Sequence, residues 1–560
     1  MNKKLEIEKL NAEIERLKKE LKKRKKYGLV WEDKHEEVVE MCKEKLPVLK
    51  EVKNKEITTD KDKPVNLLIE GDNYHALSVL NYTHAKKIDV IYIDPPYNTG
   101  NKDFIFNDHY VDKEDAYRHS KWLSFMEKRL KLAKSLLKDD GVIFISIDDN
   151  EVAQLKLLMD DKNRGMFGEN NFVSNIIWVS KAGGAHDTKH IVSESEYILV
   201  YAKNINQLNL NYKIIDVFDG KYKNEDKYSK QRGKYTLDQL DRSSIRYSEK
   251  LDYPIIAPDG NKIWPGGDEK DKKFTWRWSK EKVEWGIKND FIIIKKNNKG
   301  QWRVYTKQYQ FVDSDGNLIK RKIPYRNIIT EIKTKSSDSE IKLMFGEKVF
   351  AYPKPVELIK YLLNIASNKN SIILDFMAGS GTTAQAVLEL NKEDGGNRKF
   401  ILCTNNENNI CTDVCYPRIE KVVKGYKNLK GEDVEGLSGN LKYFKTDFVD
   451  YNEPTDRNKI NLTKQATEML CVKEGTFEKV VDNEGFKIFK NSNHYTGIIW
   501  DQTAIPAFKK AIKDIKGKFS VYVFSLGDET FDNEFKDVKQ KVQLSPIPEA
   551  ILRVYRRIFK

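Results

Sequence analysis

Apolar runs of strand length alternate with amphipathic helical segments in two separate stretches of the chain. That alternation limits the fold more than any other feature. NLLIEGD (66–72), DVIYIDPPY (89–97), GVIFISIDD (141–149), NIIWVS (175–180) and YILVYAK (197–203) read as strands. Residues 113–138 place Trp122, Phe125, Met126, Leu130, Ala133 and Leu137 at helical spacing, and a further helix is expected over 150–160. The same texture returns at 350: a helix over 355–366, the strand SIILDF (371–376), a Gly-rich turn, a helix over 382–391 and the strand KFILCT (399–404). Continuous apolar runs suit strands buried on both faces. The expectation is an α/β fold, a parallel sheet with helices on both sides.

Between the two stretches the pattern breaks. Residues 204–345 are rich in Lys, Asn, Tyr and Trp, with short strand-like runs (FIIIKK, 291–296) and turns at 258–260 and 264–267, and read as an inserted domain. The charge is concentrated there. Of a formal net charge of +14, residues 203–342 hold 31 Lys and Arg against 20 Asp and Glu, a surplus of 11. A local basic excess suits a polyanionic partner. Trp264, Trp276, Trp278, Trp285 and Trp302 lie among the basic residues, most of them expected as core of a small β-rich domain. Arg232, Arg242, Arg246, Arg277 and Lys320-Arg321-Lys322 are the candidates for contact with nucleic acid. At the start, Leu10, Ile14, Leu17 and Leu21 form an a/d stripe over 1–26, suited equally to a short coiled coil or to a helix lying on the same chain. The organisation expected is therefore 1–30, an N-terminal helix; 31–203 and 346–445, two parts of one α/β domain; 204–345, the insert; and 446–560, an α+β C-terminal domain.

The charged opening MNKKLEIEKL does not read as a secretory signal, and no apolar run of membrane-spanning length is evident. Five cysteines suit a reducing cytoplasm. Cys403, Cys411 and Cys415 cluster without zinc-site spacing, and the eight histidines show no paired metal pattern, so no metal is expected.

The sharpest chemical signal is Asp94-Pro95-Pro96-Tyr97, directly after the strand run VIYI. In an open parallel sheet, ligands sit at the carboxyl ends of strands. Two prolines stiffen the backbone and leave carbonyls as acceptors. Asp94 and the Pro95 carbonyl are placed to hold both hydrogens of an exocyclic amine, and Tyr97 offers a flat face to an extruded base. A bare Asp-Pro is also a common turn former; the strand before it and the tyrosine after it favour the chemical reading. The second signal is Asp375-Phe376-Met377-Ala378-Gly379-Ser380-Gly381-Thr382-Thr383, after SIIL. Its glycines allow a tight turn, and the helix that follows presents N–H groups suited to a carboxylate. It is neither a Walker A loop nor a full GxGxxG.

Together these two motifs make the chain resemble the amino-methyltransferases, specifically beta-class DNA adenine-N6 methyltransferases and, in length and layout, the modification (Mod) subunits of type III restriction–modification systems. The resemblance covers roughly 28–450, with the glycine motif 281 residues after Asp94. It implies a circularly permuted Rossmann-like methyltransferase domain, with 204–345 as a target-recognition domain. It also implies S-adenosylmethionine as cofactor, duplex DNA as substrate and base flipping. As implied partners it brings a second copy of the chain and a restriction (helicase–nuclease) subunit, in a bacterial cytoplasm. By the same resemblance Asp72 would accept from the cofactor's adenine amine, Glu407 would bind the ribose hydroxyls, and Phe350 and Pro355 of FAYPKP would line the pocket. Lys354 would approach the methionine carboxylate and Asp375 the cofactor's amino group, with Phe376, Gly379, Ser380, Gly381 and Thr382 around it. Asp at the first position of the tetrad favours adenine N6. Cytosine N4, an orphan adenine methyltransferase, an RNA or protein-glutamine methyltransferase and a non-enzymatic DNA-binding subunit are the alternatives.

Overall fold

The computed structural model describes residues 31–559, apart from 102, 108, 182–189, 215–219, 321, 452–454, 493 and 528. The helix expected over 1–26 and Arg321 lie outside the described residues. The chain divides into two compact units, one formed by residues up to Leu210 and from Arg326 onward, the other by Asn211–Tyr325.

The first unit is built on an 11-stranded sheet. Its strands are β1 (Lys45–Glu51), β2 (Ile57–Thr58), β3 (Val65–Glu70), β4 (Ile88–Ile93), β5 (Leu137–Ile147), β6 (Phe172–Val179), β7 (Ser195–Ala202), β8 (Ile328–Ile329), β9 (Ile372–Asp375), β10 (Lys399–Thr404) and β11 (Asn440–Asp450). Their order is β1-β11-β3-β10-β9-β4-β5-β7-β6-β8, with β2 beside β11. From β11 to β5 the strands are parallel. The expected parallel sheet is corrected at two places: β1 and β2 run antiparallel to β11, and β7 antiparallel to both β5 and β6. The reversal of β7 brings its first residues, rather than its last, to the edge where β4 ends.

The helices include α1 (Asn73–Thr83), α2 (Arg118–Leu136), α3 (Val152–Asp160), α4 (Lys335–Phe345), α5 (Val356–Ala366), α6 (Thr382–Asp394) and α7 (Tyr416–Lys424). Helix α2 carries the chain from β4 to β5, whereas α6 carries it from β9 the other way, to β10. The crossovers diverge from the β9/β4 boundary, so a crevice opens there at the strands' carboxyl ends. Side chains pin that boundary. Asp89 on β4 accepts the N–H of Ile372 at 2.7 Å and pairs with Lys138 at 2.6 Å. The register sets Ile373 against Val90 and Leu374 against Ile91. Three residues further along, each strand enters its motif turn, at Asp94 and at Met377, so the turns leave the sheet side by side.

Residues 446–560 stay within the first unit. Five strands, β12 (Glu478–Asp482), β13 (Phe486–Lys490), β14 (His494–Ile499), β15 (Lys518–Phe524) and β16 (Val542–Ile547), form a separate mixed sheet in that order. The last helix, α8 (Glu549–Ile558), buries Ile551, Leu552 and Tyr555 in the same core as α1, and Tyr555 donates to the Pro47 carbonyl.

The second unit is narrower than the 204–345 expected from composition. Ile328–Ile329 joins the large sheet beside β6, and α4 belongs with the first unit. Its three-stranded antiparallel sheet pairs Trp302–Tyr309 with Tyr235–Gln239 and Ile292–Lys296. Trp276 is fully buried with Leu240 and Val304, while Trp278, Trp285 and Trp302 are partly buried against the cores of this unit.

Candidate active site

The Asp94–Tyr97 turn is held from below. The Trp122 indole donates to the Pro96 carbonyl at 2.7 Å. That carbonyl is therefore spent on α2, a correction to the expectation that both proline carbonyls stand free. Beyond the turn, Asn98 adopts φ 57° and is fully buried. Its amide donates to Glu151 at 2.5 Å, and Glu151 also meets His119 at 2.7 Å. Burial pushes the Glu151 carboxyl up to about 8, against the Asn98 hydrogen bond.

Asp94 keeps 26 % side-chain exposure and faces the Lys354 ammonium at 3.0 Å. Lys354 also lies 2.9 Å from the Tyr97 hydroxyl and 3.2 Å from Glu196, the second residue of β7. The Tyr97 hydroxyl donates to Glu196 at 2.8 Å. Burial raises the Asp94 carboxyl above the ordinary range, and the Lys354 charge only partly offsets this. For Lys354, burial opposes the charge, but Asp94 and Glu196 together hold it above the usual lysine value. Lys354 thus sits with the Asp94 turn and β7. Glu196 escaped the sequence reading, because nothing local marks β7 as reversed.

The glycine turn is equally fixed. Gly379 and Gly381 take φ 50° and 78°, a region favouring glycine. A Cβ on Gly379 would lie 3.2 Å from the Phe350 ring, so FAYPKP and the glycine turn are in contact. A Cβ on Gly381 would lie 3.1 Å from Cys415 Sγ. Asp375 is 2 % exposed. It accepts the Met377 N–H at 3.0 Å and the Thr383 hydroxyl at 2.6 Å. Burial lifts it to about 7, against those hydrogen bonds. Both of these acceptor contacts lie within the turn itself. Phe376 is fully buried in the main core. Ser380 and Thr382 are buried and accept from Arg418 at 3.1 and 2.8 Å. Arg418 itself is fully buried on α7, and burial draws its pKa down. Pro355 precedes α5 as its N-cap.

Asp72 follows β3 and caps α1, accepting the Tyr74 N–H at 2.7 Å. Buried Arg129 reaches Asp72 at 3.3 Å and Glu36 at 2.6 Å. Glu407 stands half-buried in a 3-10 turn after β10. Along one sheet edge the order is thus Asp72, Glu407, the glycine turn and Asp94, on four consecutive strands. With strands about 4.8 Å apart, three steps span roughly 14 Å, the reach of a nucleoside carrying an amino-acid arm.

In the second unit the basic candidates separate. Arg232 donates to the Asn289 carbonyl at 2.8 Å and stacks 3.9 Å above Tyr228. Arg277 pairs with Asp238 at 2.9 Å and donates to Thr306 at 3.1 Å. Both are tied within the unit. Arg242 is exposed but pairs with Asp238. Arg246, Lys320 and Lys322 are exposed.

A family model described as DNA methylase matches residues 88–414, more than half of the chain. The Mod subunit of the type III restriction-modification enzyme EcoPI of Escherichia phage P1 is 36 % identical over 382 residues, 61 % of this chain and 58 % of that protein. The type II methyltransferase M.KpnI of Klebsiella pneumoniae is 36 % identical over 361 residues, 62 % of this chain and 82 % of that protein. The chain spans 58 % of the EcoPI subunit and 55 % of the StyLTI Mod subunit of Salmonella typhimurium. Among solved structures, the cytosine-N4-specific PvuII DNA methyltransferase is matched over 67 % of this chain and 96 % of its own, at 10 % identity and a TM-score of 0.33. Among the described residues no helix is long and apolar enough to cross a membrane.

Proposed function

Because the chain belongs to the DNA methylase family, we propose that it transfers the methyl group of S-adenosylmethionine to the exocyclic N6 of adenine in duplex DNA. One observation carries this reading: the Asp94 turn and the glycine turn leave adjacent parallel strands side by side, at a point where crossovers diverge.

The residues present suit the cofactor. Asp72 and Glu407 offer acceptors for an amine and a cis-diol, and Phe350 offers an apolar wall. The glycine turn opens α6, whose N-terminus suits a carboxylate. S-adenosylmethionine, when bound, supplies a methyl group on a sulfonium leaving group. The protein's share is orientation and electrostatics. Asp94 accepts hydrogen bonds from the amine of an extruded base, which localises the nitrogen lone pair. Tyr97 gives the base a stacking face, offsetting an unstacking cost of a few kcal/mol. The stiff Pro95-Pro96 backbone, anchored by Trp122, fixes the direction from which the amine is presented.

The relatives named as Mod subunits motivate the wider reading: a modification subunit of a type III system, acting as a homodimer beside a restriction subunit in the bacterial cytoplasm, with residues 211–325 reading the DNA site. The test is methylation of duplex DNA by the purified chain, followed by sequencing of modified bases. N6-methyladenine at a defined site is expected; N4-methylcytosine instead would overturn the adenine assignment.

A further inference from the structure

The Lys354 ammonium has three hydrogens to donate. Three acceptors surround it, from two parts of the chain, the Asp94 turn and β7: Asp94 at 3.0 Å, the Tyr97 hydroxyl at 2.9 Å and Glu196 at 3.2 Å. One of these is the carboxylate assigned above to the target amine. The protein's own ammonium therefore stands where the amine is to be received.

A neutral amine cannot take a carboxylate from a shielded cation unless that cation keeps a counter-charge, because an uncompensated charge in such a site is costly. Glu196 is placed to be that counter-charge. It already holds both Lys354 and the Tyr97 hydroxyl, and it sits on a different strand from Asp94. We propose that Glu196 is a positioning residue that retains Lys354 when the amine arrives, so that Asp94 is released to the substrate. This rests on the reading above. The release has a second consequence. Methyl transfer builds positive charge on the accepting nitrogen. An Asp94 freed of Lys354 stabilises that charge, whereas a lysine still lodged on Asp94 opposes it.

The charged and titratable groups facing Glu196 are Tyr92 on β4, Asp94 and Tyr97 after it, Lys354 ahead of α5, and Asp148 after β5. Glu196 raises the Asp94 carboxyl and Lys354 lowers it. Removing one or the other should therefore move Asp94 in opposite directions.

The experiment compares wild type, Glu196→Gln and Lys354→Met by methyl transfer to duplex DNA against pH, with cofactor affinity from equilibrium dialysis. Glu196→Gln should lower kcat/KM roughly 10- to 100-fold, the scale of a misplaced reacting group, and leave cofactor affinity unchanged. Its acid limb should shift to lower pH, and that of Lys354→Met to higher pH. A purely steric role for the two side chains would move neither limb. Unmoved limbs, or shifts in the same direction, overturn the inference. If Glu196→Gln fails to fold, Lys354→Met alone decides: an acid limb unmoved or lowered overturns it. Absence of methyl transfer by the wild-type chain overturns the proposed function itself, and this inference with it.

Discussion

Asp375 ends β9 and Asp94 directly follows the adjacent parallel strand β4, and both carboxyls stand above the ordinary range because of burial. Their surroundings differ. Asp375 spends its oxygens on Met377 and Thr383, within eight residues of itself. Asp94 faces Lys354, which comes from a distant part of the chain and is shared with Tyr97 and Glu196. A carboxylate satisfied by its own turn shapes the backbone. One held by a long, shared ammonium can change partners. Two residues alike in type, position and titration are thus assigned to architecture and to chemistry by where their partners come from.

The contrast breaks most visibly at Asp94. Asp94→Ala should cut methyl incorporation by about three orders of magnitude, with cofactor affinity by dialysis essentially unchanged. Retained turnover would erase the distinction. Next comes Gly381→Val, which places a branched side chain at φ 78° against Cys415 Sγ. Cofactor affinity should fall about tenfold and stability by about 1–3 kcal/mol, read by dialysis and thermal melting. Undiminished affinity would detach the glycine turn from the cofactor.

Asp375→Asn sharpens the architectural side. It should cost about 1–2 kcal/mol through a lost hydrogen bond, with a definite pH dependence. The folded carboxyl titrates near 7, above its unfolded value of 3.8. Its stabilising contribution is therefore complete below pH 3.8 and is lost as pH rises through 7. The variant cannot ionise there, so the wild type should lose about 2.7 kcal/mol relative to it between pH 5 and pH 8, enough to erase the deficit or reverse it. A constant deficit across that range, in denaturant melts, would contradict the assignment.

The smallest effects carry the comparison into the second unit. Lys322→Ala or Arg246→Ala should weaken DNA binding a few-fold and reduce the salt slope by about one. Arg232→Ala should leave the slope alone and cost about 1 kcal/mol of stability, since its guanidinium is tied to Asn289 and the aromatic core. The reverse pattern would exchange their roles.

What the sequence made legible follows the same division. The Asp94 and Gly379–Gly381 turns were readable because each is a strand, a turn and its special residues in one short window. Asp72 and Glu407 could be put at strand ends for the same reason. Glu196 was hidden because its place depends on β7 running backwards, which apolar periodicity does not encode. Lys354 was visible as a residue but not as a partner of Asp94. Composition could not separate Arg232 and Arg277, tied to their own unit, from the exposed Arg246 and Lys322. It also overran the insert's limits, since the basic surplus continues into α4 while Ile328 already pairs with β6.

The chain leaves the large sheet after β7 and rejoins it at β8, only one strand, β6, lying between them. Both junctions of 211–325 are therefore at a single border of the sheet, several strands from the glycine turn. A segment attached in this manner can be exchanged between homologous genes by two crossovers, leaving the large sheet and its two motif turns unchanged.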